Sequence, residues 1–196
     1  MREDVIAINS QIIDTIKFIV STVSPLIAGY IGVKYGLKQI KTQKSLDFYE
    51  RQIREFYSPM LGCQKEIRAR SEVRLKINNA ASTTWKDKFK ENSDRDDKDF
   101  HPYERILEYN NSQLENELIP LYKKMLSIFS NNFWLAQPET RKWYPELCEF
   151  VEIWQRSISE SIPGEVIEEI GHSEKKLYDF YEDLENQLNI LIKRIS

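Results

Sequence analysis

FIVSTVSPLIAGYIGV, residues 18–33, contains no charged residue, and Lys17 and Lys34 flank it. Counted from Ile12, the apolar stretch has about 22 residues, which at a helical rise of 1.5 Å each cover a hydrocarbon core of about 30 Å. The sequence therefore predicts a single transmembrane helix over residues 12–36, and this helix decides the expected architecture.

The basic residues that flank this helix predict its orientation, because cytoplasmic ends of membrane helices carry the excess of Lys and Arg. The preceding tail, residues 1–11, is short and acidic, whereas four lysines follow the apolar stretch: Lys34, Lys38, Lys41 and Lys44. We expect a single-pass protein of the bacterial inner membrane with its tail outside, its C-terminal domain in the cytoplasm and these lysines near lipid headgroups. A cleaved signal peptide and a buried helix of a soluble bundle are the alternatives.

The remainder of the chain has the composition of one helical domain. It is 41% hydrophobic and 30% charged with only 6 Gly and 7 Pro, and no segment alternates with the period of two that is typical of strands. Cys63 and Cys148 lie far apart and have no Cys or His companions, so the sequence predicts neither a metal site nor a cofactor. We expect an all-α fold, an antiparallel bundle that follows the membrane helix.

A heptad pattern predicts the first long helix of this bundle over residues 37–78, with an irregularity at Pro59. Its apolar positions are spaced by three and four residues: Leu46, Tyr49, Ile53, Phe56, Met60, Cys63 and Ile67. Such a seam packs either against helices of the same chain or against a second copy.

Residues 79–101 lose the periodicity and are rich in Ser, Thr, Lys and Asp, which predicts an exposed loop. The bundle is expected to continue over residues 102–196. Within that range the apolar spacing predicts three further helices, over residues 102–130, over residues 138–158 and from Leu177 to Ile195.

Charge is distributed unevenly along the chain. Residues 34–76 contain 11 basic and 5 acidic side chains, whereas residues 139–185 contain 5 basic and 13 acidic ones. Four basic residues of the long helix could contact an anionic ligand: Lys65, Arg68, Arg70 and Arg74. Ion pairing across the bundle is the other interpretation. No aromatic residues lie between these side chains to stack on bases, so binding to nucleic acid is not expected.

Small residues on one face of the predicted membrane helix favour self-association. Ala28, Gly32 and Gly36 are spaced by four residues, and Ser24 precedes them at the same interval. Small side chains in this register let two membrane helices approach closely. A monomeric anchor is the alternative.

Arg95 and His101 resemble, in their spacing and in the Asp that follows the Arg, the Arg and His of the HEPN ribonucleases, which are helical-bundle proteins. The resemblance implies a phosphate-binding Arg95 and an acid or base at His101. It covers seven residues of a segment that is here acidic. No Walker A, GxSxG or dinucleotide-binding glycine pattern accompanies it, so no catalytic residue is assigned.

The run from Arg54 to Leu61, REFYSPML, resembles a juxtamembrane element of small uncharacterised bacterial single-span membrane-anchored helical proteins. The expected layout is also similar to that of membrane effectors in bacterial anti-phage systems. These resemblances imply a non-enzymatic anchored protein whose cytoplasmic domain binds a protein partner or signal and acts by self-association. A membrane-tethered ribonuclease and a plain membrane scaffold are the alternative functions.

Overall fold

The computed structural model describes residues 29–30, 32–91 and 100–196. The chain divides into two compact units, Met1–Phe48 and Tyr49–Ser196. Every regular element in the described ranges is helical, as the composition predicts. No helix in these ranges has both the length and the apolar character that crossing a membrane requires.

The first unit is described from residues 29–30 and 32–48, all of which are helical. Its hydroxyl side chains bond back to the helix, as Thr42 Oγ1 does to the carbonyl of Lys38 at 3.1 Å. Its large apolar side chains are solvent-exposed: Tyr30, Val33, Tyr35, Leu37, Ile40 and Phe48. The tail predicted for residues 1–11 and most of the predicted membrane helix, residues 12–36, lie outside the described residues.

The second unit contains seven α-helices in its described part. They are α1 (Ser58–Glu91), α2 (His101–Gln113), α3 (Ile119–Asn131), α4 (Pro138–Arg141), α5 (Tyr144–Ile158), α6 (Gly164–Glu169) and α7 (Tyr178–Ile195). Two π-helical turns, Ile53–Tyr57 and Leu114–Leu118, precede α1 and α3, and two 3-10 turns, Phe133–Leu135 and Glu174–Leu177, precede α4 and α7. Residues 49–52 are also helical.

α1 runs antiparallel to α2 and α3. Asn78 of α1 bonds Asn110 of α2, while Phe56, before α1, contacts Phe129 near the end of α3 with ring centroids 5.1 Å apart. Two helices are antiparallel when the residue numbers of the contacts fall along one helix as they rise along the other. The same reversal relates the helical segment of residues 49–91 to α7, since Arg194 lies over the Tyr49 ring at 5.4 Å while Lys65 forms an ion pair with Glu185.

The bundle has one hydrophobic core, to which α1, α3, α5, α7 and the turns before α1, α3, α4 and α7 contribute the largest fully buried side chains: Phe56, Tyr57, Met60, Ile67, Leu118, Met125, Phe129, Leu135, Leu147, Leu177, Phe180 and Leu184. Four positions of the predicted seam, Phe56, Met60, Cys63 and Ile67, are buried within this chain, and Tyr49 and Ile53 pack partly buried against the core. Burial of each such side chain stabilises the fold by about 1.5–3 kcal/mol.

The irregularity expected at Pro59 is a π-helical turn. Proline has no N–H and its ring collides with the carbonyl four residues earlier, which here belongs to Glu55. The helix widens, so that the Ser58 N–H donates to the carbonyl of Ile53, five residues back. The Glu55 carbonyl accepts a hydrogen bond from Asn132 Nδ2 at 3.1 Å instead. A side chain from the residue after α3 thus donates to the carbonyl to which Pro59 cannot donate.

Pro120, near the start of α3, is preceded by a π-helical turn of the same kind. The π-helical turn Leu114–Leu118 ends two residues before Pro120, and the Ile119 N–H donates to the carbonyl of Leu114. Helical backbone therefore continues from His101 to Asn131, in agreement with the helix predicted over residues 102–130.

A chain of hydrogen bonds joins the turn before α1, the segment around α4 and helix α7. The N–H of Gln137 donates to the Tyr57 hydroxyl at 3.0 Å, so the hydroxyl proton is free to donate to Thr140 Oγ1 at 3.1 Å. Thr140 then donates to Asp183 Oδ2 at 2.6 Å. Tyr57 and Thr140 have no exposed surface. Burial raises the pKa of Tyr57, which keeps its hydroxyl protonated.

The loop predicted over residues 79–101 is wrong for its first half, because α1 continues to Glu91. Thr83 and Thr84 donate their hydroxyl protons to carbonyls four residues back, at 2.9 and 2.8 Å. Trp85 contacts Phe100 with ring centroids 5.2 Å apart, a tertiary contact that a local pattern does not reveal. Residues 92–99 lie outside the described residues.

The helix predicted over residues 138–158 is divided into α4 and α5 at Lys142 and Trp143. Pro145 follows within the first turn of α5, where its missing N–H costs no helical hydrogen bond. The last predicted helix is confirmed as the 3-10 turn Glu174–Leu177 followed by α7.

We expect Tyr57→Phe to destabilise the protein by about 1–3 kcal/mol, because the half-buried Gln137 N–H would lose its acceptor and the buried Thr140 hydroxyl would lose its donor. Urea unfolding followed by circular dichroism measures this free energy. Tyr109→Phe is the matched control, since Tyr109 is 62% exposed and its hydroxyl loss should change stability by less than about 0.5 kcal/mol. Equal effects of the two substitutions would contradict the role of the hydroxyl.

Candidate functional site

A groove of about 470 Å³ lies between α1 and the segment from Glu174 to Glu185. Its size is within the range of small-molecule and side-chain pockets. It is lined by Gln64, Arg68, Ser71, Glu72, Leu75, Glu174, Tyr178, Tyr181, Glu182 and Glu185.

Two side chains of this groove are buried and yet contain unpaired polar atoms. Gln64 and Tyr181 are 6% and 8% exposed. Gln64 Oε1 has no hydrogen-bond partner, and the Tyr181 hydroxyl lies close to the Tyr122 hydroxyl and the Glu174 carboxylate without a hydrogen bond of normal geometry to either. A buried polar atom without a partner costs about 1–3 kcal/mol, so such atoms are uncommon in stable proteins. The two atoms give the groove an unsatisfied polar floor.

Helix periodicity places both side chains inside the bundle. Gln64 follows Met60 by four residues and precedes Ile67 by three, so it shares the buried face of α1. Tyr181 has the same relation to the buried Leu177 and Leu184 in the last helical segment. Each polar group is thus held in position by its apolar neighbours.

The walls of the groove are acidic. Four glutamates line it against the single guanidinium of Arg68. Arg68 Nε lies 2.8 Å from Glu72 Oε1, and Lys65 outside the lining forms an ion pair with Glu185. Among the described residues, no ion pair neutralises the other two carboxylates, Glu174 and Glu182.

The tyrosines beside Glu174 remain protonated. Burial raises the pKa of Tyr181, and the nearby Glu174 carboxylate raises it further. Burial, followed by the proximity of Tyr181 and Glu174, also raises the pKa of Tyr122, which packs behind them. At neutral pH Tyr181 and Tyr122 are therefore uncharged.

A second cavity of about 320 Å³ continues the groove towards α2. It shares Ser71, Leu75 and Glu174 with the first. The rest of its lining is largely made of amides, together with one guanidinium: Arg74, Asn78, Leu107, Asn110 and Asn111. Asn110 Nδ2 donates to Asn78 Oδ1 at 2.6 Å, which fixes the orientation of both amides.

The four basic residues considered for an anionic ligand occupy different environments. Lys65 and Arg68 are paired as described, and Arg70 pairs with Glu66 at 2.8 Å and with Glu117. An anion would have to displace a carboxylate at each of these three positions. Arg74 lines the second cavity.

The residues predicted for membrane contact are described only in part. Gly32 and Gly36 are helical, and a Cβ atom at either position would meet no atom within 4 Å. Ser24 and Ala28 lie outside the described residues. The four juxtamembrane lysines are exposed on helical backbone: Lys34, Lys38, Lys41 and Lys44.

Only one member of the Arg95 and His101 pair is described. His101 begins α2, where its Nδ1 lies 3.0 Å from Glu104 Oε2 and its side chain is 66% exposed. Arg95 lies outside the described residues. Among the described residues, His101 therefore has no neighbouring group that could act in catalysis other than the Glu104 carboxylate.

His172 lies in an aromatic setting rather than in a metal site. Its ring centroid is 4.7 Å from that of Phe150 and 5.2 Å from that of Trp154, and its Nε2 has no partner. Burial lowers the pKa of His172, and Lys176 lowers it further, while Glu149 opposes them. Among the described residues, no three His, Cys, Asp or Glu side chains form a group that could hold a metal ion.

Sequence patterning did not identify the groove, because Gln64 and Tyr181 lie on apolar faces. Tyr181 fits the apolar spacing of the last predicted helix, and Gln64 is not among the apolar positions of the predicted seam. A polar residue at a core position, such as Gln64 between Met60 and Ile67, is the signal that could have pointed to it.

We expect His172→Phe to remove part of the acid sensitivity of folding. Since the folded pKa is below the ordinary value of 6.5, the unfolded chain takes up a proton first as the pH falls through that value. Stability is thus lost below about pH 6.5 in the natural chain, and less in the variant. Urea unfolding at about pH 7.5 and about pH 5.5 tests this; an identical pH dependence would contradict it.

No protein-family model, curated protein or solved structure matches this chain.

Proposed function

We propose that this chain is a non-enzymatic membrane-anchored protein whose helical domain binds a partner or signal in the groove between α1 and α7. The observation that carries the proposal is the pair of buried, unpaired polar atoms on Gln64 and Tyr181. Because leaving them unpaired destabilises the fold, a ligand that satisfies them explains their presence.

The charge-free run of residues 18–33 supports the anchor. With the preceding apolar residues it is long enough to span a bilayer, and Lys17 and Lys34 mark its two ends. In the proposed topology the N-terminal tail is outside and the helical bundle is in the cytoplasm, at the bacterial inner membrane.

The exposed lysines that follow the anchor support contact with anionic lipid. Each of Lys34, Lys38, Lys41 and Lys44 would add about 1 kcal/mol of attraction to a negatively charged leaflet. The four charges lie on helical backbone close to the proposed membrane surface. They would hold the start of the cytoplasmic domain at the headgroups.

Self-association of the anchor is the proposed output of ligand binding, as in a membrane effector of anti-phage defence. The open space at Gly32 and Gly36 supports this, because a second helix could approach them without displacing any described atom of this chain. A plain scaffold would have the same anchor without a ligand-dependent change in self-association.

The membrane-tethered ribonuclease with Arg95 and His101 is the weaker candidate. His101 faces the carboxylate of Glu104, which competes with a phosphate for the same ring nitrogen. Cleavage of RNA that is lost in His101→Ala would favour this candidate over the binding protein.

The double substitution Val23→Arg and Ile27→Arg should release the full chain from membranes, because one Arg at the centre of a membrane helix costs about 2.5–3.5 kcal/mol. Membrane fractionation with a carbonate wash measures retention. Val73→Arg is the control, since Val73 is 57% exposed on α1 and should leave retention unchanged. Retention of the double variant would contradict the anchor.

Gly32→Ile should weaken self-association of the full chain in detergent or lipid, because a branched side chain holds two helices apart. Cross-linking or analytical ultracentrifugation measures the change. Tyr30→Ile places the same side chain about 200° away around the helix and should have little effect. Equal association of both variants and the natural chain would exclude this face.

A further inference from the structure

We propose that the groove binds an organic cation, the side chain of an arginine or lysine presented by a peptide. This inference rests on the proposed binding function and adds the chemistry of the ligand. It is carried by the unpaired polar floor, the uncompensated carboxylates and the amides of the adjoining cavity.

The floor of the groove requires hydrogen-bond donors. Gln64 Oε1 is only an acceptor, and the Tyr181 hydroxyl oxygen accepts as well as it donates. Guanidinium and ammonium groups contain donors and no acceptor, so every hydrogen bond they make can go to these oxygens or to carboxylates. An anionic ligand would instead bring acceptors to acceptors.

The carboxylates select for positive charge. Glu174 and Glu182 line the groove without an ion-pair partner among the described residues. A cation placed between them would be attracted by both carboxylates. The burial of Gln64 and Tyr181 lowers the local dielectric, which strengthens this attraction. The carboxylates do not form a metal-binding group within the described part of the chain, which favours an organic cation.

The shape of the groove fits a cation at the end of a carbon chain. Leu75 and Tyr178, which are 61% and 56% exposed, give the groove an apolar wall against which methylene groups can pack. Tyr178 also brings an aromatic ring into the lining, and guanidinium and ammonium groups are attracted to the faces of such rings. A volume of about 470 Å³ leaves room for the charged head and its chain together.

The second cavity distinguishes a peptide from a free polyamine. Arg74 lines it, so a second ammonium group placed there would be repelled. Asn78, Asn110 and Asn111 line the same cavity, and their amides can bond the neutral backbone of a peptide. The first cavity would then hold the cationic side chain, and the second the adjoining peptide groups.

Isothermal titration calorimetry on the detergent-solubilised full chain tests the proposal with four probes. The first is the acetylated and amidated peptide Gly-Arg-Gly, and the second is the same peptide with citrulline, which has nearly the same shape but no charge. Spermidine represents the free polyamines, and the peptide Gly-Glu-Gly represents anionic ligands. Membrane retention is measured on the same preparations.

We expect the arginine peptide to bind at least about tenfold more tightly than the citrulline peptide and than spermidine. Tyr181→Phe should weaken its binding about tenfold, since the loss leaves a charged donor without its acceptor. Glu182→Gln, at an exposed position where the fold is not at risk, should weaken it about threefold.

The controls are Tyr109→Phe and Glu165→Gln, which change the same chemical groups at exposed positions outside both cavities and should leave binding unchanged. Equal binding of the arginine and citrulline peptides, preference for the glutamate peptide, tighter binding of spermidine, or no binding of any probe would each overturn the inference. Membrane release is a separate readout, so loss of peptide binding with intact retention overturns the ligand assignment and leaves the anchor standing.

Discussion

The hydroxyl group of Tyr57 is the interaction on which the arrangement of the bundle depends. It accepts from the backbone of Gln137 and donates to Thr140, which in turn donates to Asp183 of α7. The first turn before α1, the segment that follows α3 and the last helix are thereby fixed to one another. The groove lies between α1 and the segment from Glu174 to Glu185, which includes Asp183, the last member of this chain of bonds.

Two prolines explain why a π-helical turn precedes α1 and another precedes α3. Pro59 and Pro120 each remove a hydrogen bond from a helix interior, and a π-helical turn ends two residues before each of them. Asn132 compensates at the first by donating to the carbonyl of Glu55. The prolines thus cause the irregular backbone, and the tertiary structure accommodates it. Tyr57 lies in the first of these turns, where its hydroxyl bonds Gln137 and Thr140.

Periodicity predicts a helix well where its apolar face meets the core, as for residues 177–195, where Leu177, Leu184 and Leu191 are fully buried. It fails where helical structure depends on partners distant in sequence. Residues 79–91 have no apolar stripe, yet they are helical, and their Trp85 contacts Phe100 and Tyr103. A pattern within one segment cannot contain such a contact.

The sequence pattern does not reveal the candidate site, for a related reason. Tyr181 fits the apolar rhythm of the last helix, and Gln64 is one polar residue among the many of a charged segment. What makes them notable is that both are buried and unpaired, which only the packing of α1 against α7 reveals. The glutamates around them come from both segments and are brought together by the antiparallel packing.

The most direct test of the groove as the functional site is a map of where a ligand touches the protein. Chemical-shift changes in labelled full chain on addition of the acetylated and amidated peptide Gly-Arg-Gly would provide it. The account predicts that the largest changes fall on the side-chain amide of Gln64 and on the backbone of Ser71, Glu174 and Tyr181. Changes concentrated around His172 or at the N-terminus, with none at Gln64, would contradict it.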